Sequence, residues 1–171
     1  METLQPYLQL PGLWPSAALI LACTLLLHAS RTSMWRVALL ALPGTIAHEC
    51  AHLLVGTLLL AQPAGFSVWP KRAKNGWVLG SVTFRRLGLF NGAFVALAPV
   101  LLLPLAWLCL RHLTLPFWLQ QQWGGWLLSG YLAATALYAA LPSLADIKIG
   151  FPSLLFYAAL AGLCWYALRL F

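Results

Sequence analysis

Long apolar runs alternate with short polar connections along the whole chain. Crossing a hydrocarbon core of ~30 Å takes roughly 20 helical residues, and runs of about that length recur with no soluble-sized remainder. They fall at about 13–28, 35–60, 87–110, 126–141 and 151–170. The pattern predicts an all-α polytopic membrane protein: one membrane domain over residues 1–171 with about five transmembrane helices.

The connection after the second run breaks this rhythm. In "GFSVWPKRAKNGWVLGSVTFRR", Phe66 to Trp69 alternate in character, Asn75-Gly76 is a strong turn signal, and "WVLGSVTF" is rich in β-branched and aromatic residues. A β-hairpin over residues 66–84, lying at the membrane surface between the second and third helices, is expected. Lys71, Arg72, Lys74, Arg85 and Arg86 make it the densest basic cluster in the chain. Cationic loops favour the cytoplasmic side, so the hairpin is read as cytoplasmic. Five crossings would put the N-terminus and Lys148 on that side, with Arg31, Arg36, Arg111 and Arg169 opposite.

Composition agrees with the pattern. Hydrophobic residues make up 62% of the chain and charged residues 8%, with a mean hydropathy of +0.84; a soluble domain has roughly 45–50% and 25%. The net charge of +7 does not imply nucleic acid as a partner, because the basic residues are spread over short connections. Cys23, Cys50, Cys109 and Cys164 all lie in apolar runs without metal or disulfide spacing and read as small packing residues. The N-terminus superficially resembles a signal peptide, but Glu2 replaces a basic n-region, so a retained first span is expected. Tryptophans cluster at span ends, as interfacial anchors do.

Within the second run stands "HECAH". On a helix, His48 and His52 are four residues apart and share a face, with Glu49 on the adjacent strip. Two imidazoles one turn apart can bind one zinc at about 2.0–2.1 Å, and the glutamate is then placed as general base toward the attacking water. Shuffling this composition would produce the pattern on the order of once in a thousand sequences. Ionisable groups at the centre of a membrane helix cost about 2.5–3.5 kcal/mol each on insertion scales, so they need a compensating partner, and a metal supplies one.

A catalytic zinc needs a third protein ligand. The candidates are Glu2, Asp146, His28 and His112. The histidines sit at span ends, where capping or interfacial roles are usual. Asp146 is favoured: it stands in "AALPSLADIKIG" at the end of the fourth span, and Pro142 and Gly150-Phe151-Pro152 interrupt helical continuity on both sides of it, as in backbone that lines a cavity. Its plainer role is a helix-end carboxylate paired with Lys148.

"HECAH" inside a span, a following hairpin, a further span and a later aspartate resemble the site-2 protease family of intramembrane zinc metalloproteases, as a small divergent member. The resemblance covers about residues 43–150, with Ile147 after the aspartate where the family usually has glycine, and with no PDZ-type module. It implies a catalytic core at about 34–150, zinc as cofactor on His48, His52 and Asp146, Glu49 as catalytic base, and membrane-embedded protein substrates. Asn91 in "LGLFNGAFVALAP" would orient substrate backbone or the oxyanion, as a polar residue of that span does in the family; the alternative is an interhelical hydrogen bond. The hairpin would either lend a strand edge to an unwound substrate or serve as an amphipathic interface element. The corresponding location is a bacterial cytoplasmic membrane. Two other readings remain: an inactive zinc-binding membrane protein acting as adaptor, chaperone or regulator, and a transporter whose buried His and Asp relay ions.

Overall fold

The computed structural model describes residues 10–73 and 76–170. Lys74, Asn75 and Glu2 therefore lie outside the described residues. The chain is mostly helical (74%), and among the described residues three helices are long and apolar enough to cross a membrane, or four if one bent pair counts as a single crossing.

Helix α1 (Leu13–Ala29) ends in a 3-10 turn over Ser30–Thr32, after which α2 (Met34–Leu40) and α3 (Leu42–Leu58) form the bent pair. The second apolar run is thus not one straight helix but turns by 70° at Ala41. Pro43 is the physical reason: it has no N–H for the carbonyls of the preceding turn. The Leu40 carbonyl accepts instead from the Tyr131 hydroxyl at 2.5 Å.

Four short strands follow: β1 (Pro63–Ser67), β2 (Lys71–Ala73), β3 (Gly76–Val78) and β4 (Ser81–Phe84). β1 pairs antiparallel with β4 and β2 with β3, giving two nested ladders with a break between Ser67↔Ser81 and Lys71↔Val78. Pro70, which cannot donate to a ladder, lies in that break. So does Leu79, which packs against the cluster of Leu27 on α1, Val37 on α2 and Ala41 at the bend.

Helix α4 runs over Gly92–Leu119, later than the 87–110 expected, with a 3-10 stretch at Ala98–Leu101 and a π-turn at Leu110–Thr114. Residues 87–91 form an irregular connection that ends in a turn at 89–91, and Arg111 and His112 stay helical. Helix α5 (Trp123–Ala139) stops before Pro142, and α6 runs over Leu144–Leu170. The expected interruption at Gly150-Phe151-Pro152 does not occur. Pro152 removes one internal hydrogen bond, and α6 continues through it.

α3 lies against α5 and the 3-10 stretch of α4. At Gly44 an added Cβ would strike the Thr135 carbonyl oxygen, so only glycine lets the two backbones approach this closely. Ala133, Ala134 and Ala136 give α5 the small surface that helix pairs in membranes use.

Candidate metal centre

The α3 helix delivers His48 and His52 from successive turns, and Asp146 reaches them from α6. Nε2 of His52 lies 3.1 Å from Nε2 of His48. His52 Nε2 is 3.2 Å from one Asp146 oxygen, and His48 Nε2 is 3.5 Å from the other. Ligands of a tetrahedral zinc at about 2.0–2.1 Å stand roughly 3.3–3.4 Å from one another, so the three side chains have the spacing of a metal's ligand face. Among the described residues this is the one group of three His, Cys, Asp or Glu side chains with such convergence.

The outer ring atoms explain why both Nε2 atoms face inward as acceptors. Nδ1 of His48 donates to the Ala139 carbonyl at 2.7 Å, and Nδ1 of His52 donates to the Val95 carbonyl at 2.8 Å. With Nδ1 carrying the proton, each Nε2 presents a lone pair. Two lone pairs and a carboxylate facing one another repel unless a cation lies among them. The donor set fits a divalent metal.

Prolines supply both carbonyls. In α4, Pro99 has no N–H for Val95, the helix tightens to 3-10, and the Val95 carbonyl accepts from Ala98 N–H and from His52. At the end of α5, Pro142 has no N–H for Ala139, and the Ser143 N–H is diverted to Asp146. The Ala139 carbonyl is left for His48.

Asp146 stands in the first turn of α6, rather than at the end of the fourth helix as expected. Ser143 N–H donates to its Oδ2 at 2.7 Å, and its own N–H donates to Ser143 Oγ at 3.2 Å. This reciprocal pair is a capping box, written in the sequence as "SLAD". It starts α6 and aims the carboxylate at the histidines in one arrangement. Replacing Ser143 by alanine removes the Oγ that accepts from Asp146 N–H but keeps the Ser143 N–H bond to Oδ2, so a metal held here is expected to bind up to roughly tenfold more weakly, through loss of the cap that starts α6. Competition with a chelator measures this; an unchanged affinity would show that the Ser143 N–H bond alone orients Asp146.

Glu49 is buried, 6% exposed, on the strip of α3 beside the histidines. The hairpin sits directly on it: a Cβ added at Gly80 would lie 2.7 Å from both Cγ and Oε1 of Glu49. All four residues line one cavity of about 1190 Å³ between α3, the hairpin and the start of α6.

The remaining candidates lie elsewhere. His28 and His112 are exposed on α1 and α4 and are absent from the described cavity lining. Asn91 is also absent from it. Its Oδ1 accepts from Gly88 N–H at 2.8 Å, and its Nδ2 donates to the carbonyls of Arg86 and Leu59 at 2.9 and 3.4 Å. Those bonds tie the hairpin exit and the end of α3 to the start of α4, a loop-closing role that occupies the amide. Arg31 and Lys148, expected on opposite sides of the membrane, line the same cavity.

The chain matches no family model, no curated protein and no solved structure.

Proposed function

We propose that this chain is an intramembrane zinc metalloprotease, similar in plan to the site-2 protease family, that hydrolyses peptide bonds of membrane-embedded proteins. The observation that carries the reading is the convergence of His48, His52 and Asp146 with a buried, non-ligating Glu49 beside them, on the wall of a cavity large enough for an extended peptide. Zinc held by the three ligands would supply Lewis acidity to a water and to the scissile carbonyl. Glu49 then holds the proton the water gives up and returns it to the leaving amine. The hairpin walls the cavity at the membrane surface, where a substrate helix, unwound to free its carbonyls, can lie along it. In this reading α5 counts with α1, the bent pair, α4 and α6 as a fifth crossing.

A protein that bound zinc only as an adaptor would have no use for a carboxylate at position 49. The test is reconstitution: purified protein in vesicles should carry about one zinc per chain and cleave a peptide spanning the bilayer, with activity lost to a chelator and restored by zinc. Stoichiometric zinc without cleavage of any of a broad set of membrane peptides would favour the non-catalytic reading, and absence of zinc would end both.

A further inference from the structure

Arg31 belongs to the 3-10 turn after α1 and lines the metal-site cavity. Its Nε donates to the Tyr138 hydroxyl at 2.6 Å, and its guanidinium carbon lies 5.0 Å from the centre of that ring. Tyr138 immediately precedes Ala139, whose carbonyl orients His48. The guanidinium and a metal ligand are therefore both fixed by the last turn of α5. Lys148 lines the cavity from another element, α6.

Among the described residues neither cation has a carboxylate partner. The acids of the cavity, Glu49 and Asp146, both lie at the metal end, and Asp146 is turned to the two histidines. One guanidinium N–H is used by Tyr138, and the rest of the fork is left for another acceptor. A planar fork already held on an aromatic ring loses little freedom when it takes a carboxylate, and its geometry matches two oxygens at once. Both cations are exposed on the protein itself, so the fork's match to two carboxylate oxygens, rather than unscreened charge, carries the preference.

We propose that Arg31, assisted by Lys148, binds a carboxylate of the substrate, so that the preferred substrate is a membrane segment with an Asp or Glu flanking its apolar stretch. This rests on the protease reading of the same cavity. It adds a substrate class: an acidic segment seats with its carboxylate on Arg31 and its backbone toward Glu49 and the metal ligands, whereas a neutral segment leaves two cations without a counter-charge.

The test uses synthetic membrane-spanning peptides, one series carrying a single Glu at successive flanking positions and a matched series carrying Gln. Cleavage is followed in phosphatidylcholine vesicles, and binding of the same labelled peptides is measured on full-length Glu49→Gln protein, where turnover is removed. Wild type should prefer at least one Glu peptide by roughly tenfold in kcat/KM, the scale of a charge-assisted hydrogen bond. The preference should fall toward one in Arg31→Gln, and Arg31→Glu should reverse it in favour of a Lys peptide. Zinc content of each variant reports that the fold persists. Arg31→Lys keeps the charge and should retain part of the preference.

Cleavage with no difference between Glu and Gln peptides at any position would overturn the proposal while leaving the protease reading intact. A charge preference in binding without cleavage would keep the carboxylate site and remove the protease. An Arg31 effect that follows added phosphatidylglycerol rather than peptide charge would assign the cation to lipid and overturn the substrate claim.

Discussion

Glutamine at position 49 is expected to leave the zinc content unchanged and to lower cleavage by at least roughly 10²–10⁴-fold, the usual contribution of a general acid–base group. The substitution keeps the volume of a side chain that is 6% exposed and has the Gly80 backbone against it, so neither packing nor the hairpin's seat should change. The proposed metal ligands lie on other side chains, and none of their orienting hydrogen bonds involves Glu49. What is lost is the capacity to hold a proton at the carboxylate. The readouts are metal analysis and single-turnover cleavage on the same preparation. Full activity with full zinc would remove the base from the scheme, and loss of zinc would make Glu49 a ligand or a structural support instead.

The parts of this site that are local in sequence were the legible ones. His48 and His52 follow from a four-residue spacing, which puts two side chains on one helical face wherever the helix is packed. Asp146 was reachable by scarcity, since the chain has only 3 acidic residues. Its setting is less legible, because "PSLAD" has the look of a break between apolar runs, whereas the Ser143–Asp146 capping box makes it the start of α6. The bend at Ala41 was obscured by a continuous apolar run, although Pro43 is visible in it. The pairing of His48 with Ala139 and His52 with Val95 depends on how α3 lies against α5 and α4, which spacing does not encode. The usable signal was the prolines, since a proline three or four residues beyond a helical carbonyl leaves it short of a donor. Asn91 was conspicuous for its polarity in an apolar stretch, but its partners are backbone groups of the adjoining turn and of the end of α3.

Those proline-freed carbonyls make the two histidines unequal, and alanine substitution should separate them. Either His48→Ala or His52→Ala should abolish zinc binding, because a tetrahedral site with one imidazole and one carboxylate retains too few protein ligands. Without metal the variants should part company. His52 is 5% exposed, and its loss takes a hydrogen bond from the Val95 carbonyl inside the contact between α3 and α4 and leaves a void there. His48 is more accessible, and the carbonyl it serves lies at the end of α5, beside the cavity. Compared in chelator-treated protein, His52→Ala should be the less stable by about 1–3 kcal/mol, the combined cost of the void left by a buried side chain and of one of the Val95 carbonyl's two hydrogen bonds. Thermal unfolding in detergent at fixed lipid content measures the difference. If the two metal-free variants unfold together, the Val95 carbonyl is satisfied by Ala98 N–H alone, and the His52 hydrogen bond orients the ring without stabilising the fold. If either variant keeps its zinc in full, the three-ligand assignment fails, whatever the stabilities.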